Sequence, residues 1–145
     1  MDFFLNSQIL SVDAVSDSAD LIETMLQAAN RGYWVTMVAT AEQALNRLAY
    51  GSFDLCIIEY ALPDATGPQL CSRMRENGFN KPIMFFTAMS RPVDRANAIA
   101  SGADDFLVNP DDLDIFPNAV SHLLGKRPAI YMNRMRSQMQ LHAAA

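Results

Sequence analysis

Cysteine and histidine are nearly missing from this chain: Cys56, Cys71, His122 and His142 are the only ones in 145 residues. None has a companion at metal-ligand spacing, which argues against a zinc or thiolate centre and favours two buried free thiols over a disulfide. Glycine is also scarce, at six, and there is no glycine-rich phosphate loop, nucleophile elbow or zinc motif. The expectation is a protein that is not an enzyme. Long apolar runs are absent too: none approaches the ~20 residues of a membrane-spanning helix. The start Met1-Asp2-Phe3-Phe4 lacks the basic segment of a secretory signal. A soluble, cytoplasmic protein without membrane association is expected.

Positive charge is the other shortage, with 11 Lys and Arg against 16 Asp and Glu for a formal charge of −5. Its distribution is lopsided. All the acidic residues precede Lys126, whereas Lys126, Arg127, Arg134 and Arg136 are the only charged side chains after Gly125. An acidic body argues against direct nucleic-acid binding. The length suits one domain, typically ~100–200 residues. The expected division is a domain over residues 1–125 and a basic tail or linker over 126–145, which is a linker, a partner-docking helix or disordered.

What is present is alternation. Short apolar runs at 8–12, 34–38, 54–59, 83–86 and 106–108 are separated by helical patterns at 18–29, 40–48, 68–76, 92–101 and 113–124. Strands alternating with helices predict a parallel sheet covered on both faces. Leu21, Ile22, Met25 and Leu26 form the apolar stripe of the first helix, with Ser16 or Asp17 as its cap. Thr40 and Gln43 have capping-box spacing, and Ser90 precedes Pro92 as the expected cap of the fourth helix. Asp111, Asp112 and Asp114 are expected to place negative charge at the start of the fifth. Met25, Met37, Met74 and Met84 are expected core filler, while Met132, Met135 and Met139 in the tail could mark an adaptable surface.

The strand ends carry the polar residues. Gln8-Ile9-Leu10-Ser11-Val12 runs into Asp13, Asp54-Leu55-Cys56-Ile57-Ile58 into Glu59, Pro82-Ile83-Met84-Phe85-Phe86 into Thr87, and Phe106-Leu107-Val108 into Asn109-Pro110. In an open α/β sheet these ends converge on one crevice. Their order, with Gly32-Tyr33-Trp34-Val35, Leu62-Pro63-Asp64-Ala65-Thr66-Gly67 and Gly102-Ala103-Asp104-Asp105-Phe106, resembles the receiver domain of bacterial two-component response regulators over roughly residues 7–125. The resemblance implies a five-stranded, doubly wound flavodoxin-like sheet of order 2-1-3-4-5.

The resemblance also assigns roles. In that family two acidic residues after the first strand and an aspartate after the third hold Mg²⁺, the same aspartate accepts a phosphoryl group, a hydroxyl after the fourth strand receives it, and a lysine follows the fifth. Here Asp13 keeps the first acidic position, Ala14 replaces the second, Glu59 replaces the phosphoacceptor, Thr87 keeps the hydroxyl and Asn109 replaces the lysine. Phe106 falls at the family's state-reporting aromatic. Mg²⁺ prefers near-octahedral oxygen ligation with one or two carboxylates, so Asp13 and Glu59 imply a weak metal site or none. Three readings stand open: a module in which Glu59 imitates the phosphorylated aspartate or is a relic, an acceptor with residual Mg²⁺-dependent activity, and a crevice that binds a small molecule. The partner surface that the resemblance implies is the fourth helix, fifth strand and fifth helix, with Arg91, Asp94, Arg95 and Phe106 on it.

Overall fold

A computed structural model describes residues 7–30 and 32–125. Five strands, β1 (Ser7–Val12), β2 (Tyr33–Val38), β3 (Leu55–Ile58), β4 (Ile83–Thr87) and β5 (Asp105–Val108), alternate with five helices. The helices are α1 (Ser16–Ala29), α2 (Ala41–Tyr50), α3 (Gly67–Glu76), α4 (Pro92–Ala100) and α5 (Phe116–Leu123). The sheet is wholly parallel with order β2-β1-β3-β4-β5, as the alternation and the resemblance imply. The tail at 126–145, with its methionines and basic residues, lies outside the described residues.

The sheet divides two cores. Leu10, Val12, Cys56, Ile58 and Phe85 face Leu70, Met74 and Ala98 on one side. Ile9, Leu55, Ile57, Met84 and Phe86 face Ile22, Leu26 and Phe116 on the other. β3 is buried along its whole length, as expected of a central parallel strand that packs helices on both faces. Both thiols are free and buried, and burial pushes them upward in pKa.

Several boundaries differ from the sequence reading, each for a local reason. α1 begins at Ser16 behind Val15, whose apolar side chain offers no cap, while the Asp13 carboxylate accepts the Val15 N–H at 2.9 Å. Its buried stripe is Ile22 and Leu26, while Leu21 is exposed. Thr40 caps α2 by accepting the Gln43 N–H at 3.1 Å, but Gln43 reaches back to Ala39 rather than closing a box. The closed box is at α3, between Thr66 and Gln69. At α4, Arg91 occupies the cap position, not Ser90, and the buried Asp94 carboxylate accepts the Arg91 N–H and pairs with its guanidinium. α5 starts later than predicted, so Asp111 and Asp112 lie in the preceding turn, where Asp112 accepts the Val108 N–H at 2.7 Å. Met74 and Met84 are fully buried, whereas Met37 is only partly so.

Candidate functional site

Backbone hydrogen bonds fix each strand end. The Asp13 N–H donates to Val38 O, the Glu59 N–H to Val12 O and the Asn109 N–H to Thr87 O, at 2.9, 2.9 and 2.8 Å. Asp13, Glu59, Thr87 and Asn109 therefore sit together at the carboxyl edge of the sheet. Ala14 is exposed beside them and offers no side-chain oxygen.

Glu59 is held by neutral donors. Its carboxylate accepts the Tyr60 N–H through Oε2, and the Thr87 hydroxyl and the Ala61 N–H also favour its charged form. Burial nevertheless wins and raises its pKa above the ordinary carboxylate range, with the nearby Asp13 charge adding to the rise. Asp13 is likewise raised by burial, which outweighs the opposing Val15 amide. Neither carboxylate joins an ion pair among the described residues.

Thr87 is almost wholly buried, and its Oγ1 also accepts the Met89 N–H at 3.2 Å. The Asn109 side chain makes no hydrogen bond among the described residues, so Glu59 meets Thr87 but not Asn109. A cis peptide joins Asn109 to Pro110.

From Glu59 an aromatic path leads away from the crevice. The Tyr60 ring lies 6.0 Å from Phe85, and Phe85 stacks on Phe106 at 6.0 Å with 25° between planes. Phe106 is buried, and Arg95 covers it: the guanidinium carbon is 5.9 Å from the ring centroid and Nη1 donates to the Phe106 carbonyl at 3.1 Å. Asn97 Nδ2 donates to the Tyr60 hydroxyl at 3.3 Å, tying α4 to the residue after Glu59.

Sequence reasoning missed Tyr60 and Ala61, whose contributions are backbone amides and carry no residue signature. It placed Gly67 only as a loop end, yet a Cβ there would lie 2.5 Å from Phe85 Cε2 and 2.7 Å from Glu59 O. Asp64 accepts the Ala41 and Glu42 N–H groups at 2.9 and 3.0 Å, so the loop after β3 caps α2. Its position after Pro63 in a turn was the available hint.

Asp13 and Glu59 are the two carboxylates at the site, both already accept backbone amides, and among the described residues no group of three acidic, His or Cys side chains converges. Grooves of about 590, 480 and 430 Å³ are lined chiefly by β2, α2 and α3 residues rather than by the four strand-end residues.

The response regulator receiver domain profile matches residues 9–121. The chain belongs to the response regulator receiver family.

Relatives of this receiver include the transcriptional regulatory protein DltR of Streptococcus agalactiae, 32% identical over 107 residues that make up 74% of this chain and 47% of DltR. YrkP of Bacillus subtilis is 30% identical over 132 residues, 90% of this chain and 54% of YrkP. The chain thus spans about half the length of the curated relatives it matches. Among solved structures, a two-component response regulator from Clostridium difficile aligns with a TM-score of 0.75 at 27% identity, covering 83% of this chain and 97% of that one. The receiver domain of the sensor histidine kinase PA1611 from Pseudomonas aeruginosa, solved with a magnesium ion coordinated in its active-site cleft, aligns with a TM-score of 0.70 at 29% identity, covering 83% and 98%. The receiver belongs to two-component signalling, in which receiver domains interact with partner proteins. Among the described residues no helix is long and apolar enough to cross a membrane.

Proposed function

We propose that this receiver acts by protein–protein contact without phosphorylation, Glu59 serving as the resident anion in place of a phosphorylated aspartate. The observation that carries the reading is the engagement of the Glu59 carboxylate by the Thr87 hydroxyl and the Tyr60 and Ala61 amides. A negative group after β3 drawing in the hydroxyl after β4 is the arrangement that phosphorylation would otherwise create. The buried Phe106, reached through Tyr60 and Phe85, extends it to the α4, β5 and α5 face as the partner surface. On α4 the exposed Val93 and Ile99 are available, while Arg91 and Asp94 pair with each other at the helix start and Arg95 lies over Phe106.

Three features work against phosphotransfer. Glu59 is one methylene longer than aspartate, and a displacement of ~1 Å costs on the order of 10²-fold in rate. Asn109 supplies no positive charge; loss of a preorganised transition-state donor costs ~2.7–4 kcal/mol in comparable sites. Ala14 removes a carboxylate from the metal-binding position. Incubation of the full chain with acetyl phosphate and Mg²⁺, read by intact mass, is expected to leave it unmodified. Stoichiometric acyl phosphate on Glu59 would overturn the proposal.

A further inference from the structure

The sheet has two edges, β2 and β5, and they are finished differently. β5 is four residues long, begins with a charge at Asp105, and has its Phe106 carbonyl taken by Arg95. β2 is six residues of sequence YWVTMV, with no charge, proline or glycine, and its Trp34 is 58% exposed. Edge strands ordinarily carry charge, proline, bulges or cover that prevent another strand from pairing with them. Among the described residues, β2 carries none of these.

Its free hydrogen-bonding groups can be identified. The Val38 carbonyl accepts the Asp13 N–H, so Val38 directs its peptide groups toward β1. Because successive residues alternate sides, Trp34 and Thr36 do the same, while Tyr33, Val35, Met37 and Ala39 direct theirs to the open edge. The outer two are occupied. Tyr33 donates to Asn30 O at 3.1 Å and accepts Gln27 Nε2 at 3.4 Å. Ala39 donates to Gln43 Oε1 at 2.8 Å. Val35 and Met37 remain, their N–H and C=O groups without a partner among the described residues.

We propose that the β2 edge docks a second copy of this chain, antiparallel, about a two-fold axis through Thr36. Val35 of each copy then lies opposite Met37 of the other, and their amides and carbonyls close reciprocal hydrogen bonds that leave neither edge unsatisfied. Two outward residues separated by one inward residue are self-complementary under a two-fold axis, as an isologous contact between copies requires. Trp34, Thr36 and Val38 lie on the α2 face, since Tyr33 and Val35 pack with the opposite core. Trp34 of one copy therefore stands opposite Val38 of the other, at the β2–α2 groove of about 430 Å³ lined by Val38, Gln43, Asn46, Arg47 and Tyr50. Its polar residues offer acceptors for an indole N–H. No acidic residue lines this groove or β2, so the negative body meets no like charge at the contact. The inference is independent of the role of Glu59.

The test is sedimentation of the full chain over a wide concentration range, with hydrogen exchange and single-cysteine crosslinking. A monomer–dimer equilibrium is expected, with the Val35 and Met37 amides slowing as dimer forms. Directly opposed residues of a non-hydrogen-bonded antiparallel pair lie ~4.5 Å apart at Cα, within the ~4.4–6.8 Å that a disulfide spans. Thr36→Cys should therefore crosslink to a covalent dimer faster than Ala96→Cys, an exposed control on α4 beside the opposite sheet edge. The native thiols are buried. Met37→Pro removes only an outward N–H and should shift the chain to monomer with unchanged circular dichroism. A monomer at every concentration would overturn the proposal. So would a dimer that crosslinks through Ala96→Cys in preference to Thr36→Cys, or a monomer with protected Val35 and Met37 amides, in which another segment of the chain fills the edge.

Discussion

The two ends of the sheet handle charge in opposite ways. At the amino ends of β4 and β5, Arg75 donates to the carbonyls of Phe79, Lys81 and Gly102 and pairs with Asp104 at 2.9 Å. Asp104 also accepts the Ile83 N–H at 2.9 Å. Arg75 and Asp104 there neutralise each other. At the carboxyl ends, Asp13 and Glu59 are both acidic, both raised in pKa by burial, and held only by amides and a hydroxyl. The amino end pairs this couple of charges; the carboxyl end holds two desolvated carboxylates, an arrangement that marks a candidate functional site.

Arg75→Ala should break the stabilising end with the largest effect. It removes several hydrogen bonds to a charged group, and a loss of about 3 kcal/mol is expected from ~1.5–3 kcal/mol for such bonds with water replacing some of them; urea unfolding measures it. Lysine should restore only part, since it lacks the fork that spans the Gly102 carbonyl and Asp104. At the other end, Gly67→Ala drives a methyl against Phe85 and the Glu59 carbonyl. The expected destabilisation is about 2 kcal/mol, in the usual range for overpacking, with shifts in Glu59 and Tyr60 resonances. Thr87→Ala removes a buried hydroxyl from the Glu59 carboxylate and should cost about 1.5 kcal/mol. It should also raise the Glu59 pKa further, observable by carboxyl NMR.

The smallest effect is in pH dependence. A carboxylate whose folded pKa is raised holds a proton that the unfolded chain has already released. Its contribution to stability is therefore greatest in acid and is lost as pH rises from the ordinary carboxylate range through the raised value. Glu59→Gln should flatten this part of the stability profile and melt higher than wild type near neutrality, with the gap closing in acid. Thermal melts across pH measure the difference; a gap that widens in acid would refute the burial argument.

Most of the architecture was legible because it depends on periodicity. The apolar runs and strand-end polar residues located the sheet and brought Asp13, Glu59, Thr87 and Asn109 to one edge. Helix starts were less legible, because caps depend on which side chain reaches which amide: Val15, not Ser16 or Asp17, holds the cap position of α1 without a side-chain bond, and Asp112 turned back onto Val108 rather than opening α5. The immediate surroundings of Glu59 were the least legible. Its amide donors belong to Tyr60 and Ala61, where the backbone does the work, and the closeness of Gly67 to Phe85 depends on packing between β4 and the loop after β3.

The most direct test is the amide NMR spectrum of Glu59→Gln beside wild type. The variant keeps the side chain's shape and removes its charge. If Glu59 is the resident anion that holds Thr87, resonances of Thr87, Met89 and Phe106 should move together with those of Tyr60 and Ala61. Shifts confined to Tyr60 and Ala61, with Thr87 and Phe106 unchanged, would contradict the account.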